Sequence, residues 1–258
     1  MKTPAKRIFM VLLFMPLIIG LLVANAGALQ LDLTDPNSSG SINGSIFITP
    51  ATITSGTGLI DSFVRMQAAN KTSESGYNTD GDLEFDTKAG LFTHSLQLSA
   101  IQNTVVNIGG TDYYEFVLDV NESPGNGLIT LHDFEFYLDA NPDNSGYPAL
   151  GTPVYDFDIG PDGDSSVIID YNNFTGSGKL DLFALVPTSY FGTDLDQYVY
   201  MFSSFGQPDD VVDDGFEEWA HKIEGTFTPP DPIPEPATLF LLITGILGLS
   251  GMGIKRKG

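Results

Sequence analysis

Short apolar or alternating runs, each closed by a turn cluster, decide what this chain can fold into. The clearest are "SGSINGSIFIT", "GLIDSFVRMQ", "HSLQLSAIQNTVVNI", "DYYEFVLDV", "LITLHDFEFYLD", "SSVIIDY", "KLDLFALV" and "DQYVYMFSSF". Runs of this length with period-two alternation suit strands buried on one face, and amphipathic helix is scarce. In "KLDLFALV", Leu180, Leu182, Ala184 and Val186 share one parity and face one way. In "LITLHDFEFYLD", Ile129 and Leu131 take one parity, and Phe134, Phe136 and Leu138 take the other. That switch places a bulge near His132 and Asp133. The stretch "DDVVDDGFEEWAHK" predicts one short helical turn, capped by Asp213 or Asp214. About eight to twelve strands at short spacing predict an all-β fold, an antiparallel β-sandwich of jelly-roll type.

Composition narrows how such a sandwich holds together. The chain has no cysteine, so neither disulfides nor thiolate chemistry contribute. Stability rests on one core, which about 200 residues supply by burying roughly 70% of their unfolded surface. The 18 Phe and 10 Tyr supply bulky core material. Between Leu29 and Ile233 lie 32 acidic residues against five basic ones, a net charge of −27. Such a body repels nucleic acid and anionic lipid, so neither is a partner, and it attracts cations. Calcium is the candidate cofactor outside a cell.

The two ends read differently from the middle. "MKTPAKRIFMVLLFMPLIIGLLVANAGALQ" has a basic start at Lys2, Lys6 and Arg7, an apolar stretch from Ile8 to Val23, and small residues up to Ala28. This is the pattern of a signal peptide over residues 1–28. At the other end, prolines 229, 230, 232, 234 and 236 make residues 228–236 a stiff extended linker. From Ala237 to Ile254 there are 18 uncharged residues, roughly 27 Å as a helix against a ~30 Å hydrocarbon core. Lys255, Arg256 and Lys257 then form a cytoplasmic stop. Residues 237–258 therefore predict a transmembrane helix with a basic terminus, and residues 29–227 an exported β domain.

Pro234-Glu235-Pro236, then an apolar glycine-bearing segment, then the basic triplet, resembles a PEP-CTERM sorting signal. The resemblance covers Ile233 to Gly258 and says nothing of the body. It implies a Gram-negative bacterium and recognition of the motif by an exosortase, a membrane processing enzyme. It also implies an intermediate anchored in the inner membrane with its body in the periplasm, destined for the envelope or extracellular matrix. Association with exopolysaccharide and biofilm formation is a further implication.

Within the body, acidic loops are the candidate sites. "DFDIGPDGD" offers Asp156, Asp158, Asp162 and Asp164, with Gly160 and Gly163 allowing a tight wrap around a cation. "DANPDN" places Asp139, Asn141 and Asp143 at alternate positions of an EF-hand-like pattern, but Asn144 and Leu150 stand where Gly and Glu are needed. The plainer alternative in both loops is turn aspartates capping their own backbone. A third cluster, Asn78, Asp80, Asp82, Glu84 and Asp86, alternates like a strand face. His94, His132 and His221 form no metal pair at short spacing. No nucleophile elbow or phosphate-cradling loop occurs, so no catalytic residue is assigned. Trp219 is a core residue by preference and a sugar-stacking residue by alternative.

The resulting expectation is an exported, non-catalytic protein with a structural or matrix-interaction role. A carbohydrate-binding module, with or without calcium, is the alternative, and exposed aromatics on a concave sheet face are its mark. A polysaccharide-active enzyme comes third and needs two carboxylates in one cleft.

Overall fold

The computed structural model describes residues 28–50, 60–68, 71–121, 127–148, 150–174, 179–206 and 215–222. The expected signal peptide, proline-rich linker, PEP motif, membrane helix and basic stop lie outside these. Among the described residues no helix is long and apolar enough to cross a membrane.

Strands in chain order are β1 (Gln30–Leu33), β2 (Ser39–Ile42), β3 (Ser45–Ile48), β4 (Ile60–Met66), β5 (Ser73–Tyr77), β6 (Leu96–Gln97) and β7 (Val106–Ile108). They continue as β8 (Thr111–Asn121), β9 (Leu128–Asp139), β10 (Tyr155–Asp156), β11 (Ser166–Asp170), β12 (Leu182–Pro187), β13 (Tyr198–Gly206) and β14 (Phe216–Lys222). Among the described residues one α-turn, α1 (Leu98–Ile101), runs into a 3-10 turn. One sheet has the order β1-β11-β9-β13-β5, with β10 on β9 and β6 on β13. The other has the order β2-β3-β12-β8-β14-β4, with β7 on β8. Every pairing is antiparallel except β1 with β11. The protein is an all-β sandwich.

Alternation builds the core. On β8, Tyr114, Phe116, Leu118 and Val120 point between the sheets, and on β13 Val199, Met201 and Phe205 meet them. Register on β9 jumps from Asp133 opposite Ser204 to Leu131 opposite Phe205, so His132 is the extra residue. This one bulge lets Ile129 and Leu131 share the core with Phe134 and Phe136 despite opposite parity. Aromatic contacts knit the two sheets: Phe116 lies 4.8 Å from Phe136, and Phe134 lies 5.0 Å from Trp219. Trp219 is fully buried and its indole N–H donates to Ser203 Oγ at 3.0 Å. It has no face left for a sugar.

Three local expectations are corrected. Residues 216–222, expected within a helical turn, are β14, because pairing with both β8 and β4 outweighs the local helix preference of Glu, Ala and Lys. The run from His94 to Ile108 is interrupted by α1 and its 3-10 turn. Leu180 leaves the face of its neighbours: β12 begins at Leu182, and Leu180 joins Phe183, Leu185 and Val117 on the outer side of the second sheet.

Candidate functional site

The Asn43-Gly44 turn joining β2 and β3 anchors a pocket among the described residues. Both residues have positive φ, 48° and 87°, as a two-residue hairpin of the type I′ family needs. From this tip the Asn43 amide reaches across the sandwich end. Its Nδ2 donates to the Phe157 carbonyl at 2.7 Å, and its Oδ1 accepts the Asp162 N–H at 3.3 Å. Asp162 Oδ2 in turn accepts the Asn43 N–H at 2.7 Å. The loop backbone approaches so closely that a Cβ on Gly160 would lie 2.2 Å from Asn43 Oδ1. A side chain at 160 would have to push the Asn43 amide off its bonds, so the crowding there comes from contact and not from dihedral angle.

A third element completes the wall. Tyr190 donates its hydroxyl to the Asn43 carbonyl at 3.0 Å, and its ring centroid lies 5.2 Å from that of Tyr155. Tyr155 is itself buried and donates to the Ile42 carbonyl at 3.0 Å. Between these groups opens a pocket of about 190 Å³, lined by Asn43, Val154, Tyr155, Asp156, Ile159 and Tyr190. Ile159 is 70% exposed and Tyr190 38%. Thr152 and Pro153 close one side.

Three of the four candidate aspartates of this loop hold backbone groups, and Asp164 acts on Asp158 through its charge. Asp156 Oδ1 accepts the Asp158 N–H at 2.8 Å, and Asp158 Oδ1 accepts the Ser165 N–H at 2.8 Å. Burial raises the pKa of Asp156. Burial also lifts Asp158, to about 7, and the charges of Asp133, Asp156 and Asp164 add to the rise. Asp156, Asp158 and Asp162 thus hold backbone N–H groups, two within the loop and one across it. In the second candidate loop, Asp139 Oδ1 accepts the Asn141 N–H at 2.8 Å and its side-chain amide at 3.1 Å. The Asn141 carbonyl accepts the Tyr200 hydroxyl. Asp143 sits where its carbonyl would be 2.2 Å from a Cβ on Gly81. Among the described residues no group of three or more histidines or carboxylates is arranged to hold a metal ion. The third cluster is loop, not strand: Asn78 bridges Val199 O and Met201 N, and Asp80 accepts from Ser95.

The outer face of the first sheet carries Tyr77, Tyr137, Tyr200 and Phe202, but as a covered cluster. Tyr147 stacks on Phe202 with centroids 4.0 Å apart and planes 12° apart. Its hydroxyl donates to Glu135 Oε1 at 3.0 Å, and Tyr137 donates to the same carboxylate. Burial raises the Glu135 pKa, against the lowering effect of those two hydroxyls. Phe85, at φ 57° and 55% exposed, packs edge-on against this cluster. Tyr147 and Phe85 therefore roof the platform, and Tyr190 at the hairpin end is a partly exposed aromatic, as are Phe85 and Phe92.

Sequence reasoning reached the aspartates of residues 156–164 but missed Asn43, Ile159 and Tyr190. The Asn-Gly pair was the one local signal available. Searches against family models, curated proteins and solved structures find no match to this chain.

Proposed function

We propose that the chain is an exported envelope or extracellular-matrix protein, sorted and processed through its PEP-CTERM-like tail. Its β domain serves a non-catalytic interaction role linked to exopolysaccharide. What supports this is the order of signals along the sequence: a basic then apolar start over residues 1–28, a β-rich acidic body, then Pro234-Glu235-Pro236 ahead of an uncharged segment and Lys255-Arg256-Lys257. The strand order supports the finer, jelly-roll reading. Taken in chain order, β4, β5, β8, β9, β11, β12, β13 and β14 sort into β4-β14-β8-β12 and β5-β13-β9-β11, the pattern of two nested Greek keys. Jelly rolls include lectin domains, and the preformed pocket favours the carbohydrate-binding alternative as a second reading. Its calcium-dependent form rests on the aspartates of residues 139–143 and 156–164.

Intact-mass measurement of the protein from an exosortase-bearing host tests the sorting reading. The mature chain is expected to lack the apolar tail and Lys255-Arg256-Lys257. Glu235→Ala is expected to leave a full-length anchored chain. A mature native chain still ending at Gly258 overturns the reading.

A further inference from the structure

The geometry points to the pocket at the β2–β3 hairpin tip as a binding site for a single neutral pyranose residue of a glycan. The inference rests on the matrix-interaction reading and names the ligand class for the domain.

Size comes first. A volume of about 190 Å³ falls below the roughly 300–1,000 Å³ of sites for drug-sized ligands. It admits one small ring and no extended chain, so a glycan enters by a terminal or side-branch residue. Surface chemistry comes second. The aromatic face of Tyr190 and the aliphatic side of Ile159 stand partly in solvent, suited to the C–H face of a pyranose. Tyr190 is fixed by its hydroxyl bond to Asn43 O and by contact with Tyr155, so little rotamer freedom is lost on binding. Polar specificity comes third. Asp156 lines the pocket with Oδ1 held by the Asp158 N–H. The same carboxylate is also reached by the Ile159 N–H, and an oxygen of an ionised carboxylate keeps lone pairs that can accept from a sugar hydroxyl. An apolar ligand would strip water from that oxygen without replacing the bond.

Charge then selects among sugars. Asp158 and Asp162 flank Asp156 on the same loop, in a body of 32 acidic and five basic residues. A uronate carboxylate brought to Asp156 adds to the negative charge that Asp133 already places there, while a neutral hexose does not.

The test uses the full-length chain in a non-sugar detergent, titrated with methyl glucoside, methyl galactoside, methyl mannoside and glucuronate, and read by saturation-transfer NMR. At least one neutral glycoside is expected to bind at millimolar concentration. Glucuronate is expected to bind roughly tenfold more weakly at low salt, a gap that narrows as salt is added. Tyr190→Ala and Ile159→Ser are each expected to abolish the signal, while Leu91→Ser, at an exposed site outside the pocket lining, retains it. Ile159 is exposed, so its variant keeps the fold even where Tyr190→Ala does not. Absence of signal from all three neutral glycosides overturns the proposal. So does glucuronate binding as tight as theirs, or binding that survives Ile159→Ser. Tail processing, read by mass, is untouched by any of these outcomes.

Discussion

Asp181 makes the stability of this sandwich run against the usual direction with pH. The residue precedes β12 and is almost fully buried. Its Oδ2 accepts the Val120 N–H at 2.8 Å, while Oδ1 has no partner. Burial pushes its pKa up to about 8 from an ordinary 3.8, with the nearby Asp119 charge adding to the rise. The folded protein therefore holds this proton across a window where the unfolded chain has released it. With more protons bound in the native state between about pH 4 and 8, stability falls as pH rises through that window. At about 1.36 kcal/mol per unit, the cost at pH 7 is on the order of 4 kcal/mol. Asp181→Asn keeps an oxygen for the Val120 N–H and removes the titration. The variant is expected to match the parent near pH 4 and to exceed it at pH 7 by roughly 10 °C in melting temperature. Thermal melts followed by circular dichroism at both values decide it. A variant less stable than the parent at pH 7, or a difference that does not change with pH, refutes the reasoning. Glu115 on β8, whose pKa burial raises to about 7, acts in the same sense.

Gly160→Ala is expected to destabilise by about 1–3 kcal/mol through overpacking against Asn43, read as a lower urea midpoint with unchanged slope. Trp219→Phe removes the donor to Ser203 and leaves a gap between the sheets; a loss of about 2–4 kcal/mol is expected, and a neutral result sinks the core assignment. Because Asp156, Asp158 and Asp162 already bond backbone N–H groups, EDTA is expected to leave the melting temperature unchanged. A drop of several degrees that Asp162→Ala removes would establish a cation in the loop.

Much of the fold was legible because burial on one face writes itself into alternation. The β9 run shows how far this goes: two parities within twelve residues implied a bulge, and His132 supplies it. Where reading failed, the deciding partner was remote. Nothing within residues 216–222 announces that β8 and β4 flank them on both sides, so local preference had no competitor in the sequence. Leu180 shows the same limit at a strand end. Parity extends only as far as the strand does, and β12 starts two residues later.

The pocket was less legible than the fold, for a reason that lies in its construction. Each acidic loop advertised itself by composition, yet a carboxylate in sequence does not say whether it will meet a cation or a backbone N–H. Asp156 and Asp158 settle on N–H groups two and seven residues away, and turn chemistry suggests only the first. The wall that turns this loop into a pocket comes from 119 residues upstream of Asp162, at Asn43. Tyr190 stands 147 residues beyond that asparagine. No spacing rule links the three. What the sequence does carry are the conditions for their meeting: an Asn-Gly pair for a tight hairpin, and a glycine at 160 whose bare backbone lies close beneath the asparagine. Glycines flanked by acids invite a metal-loop reading, but in this protein the one at 160 makes room for another loop.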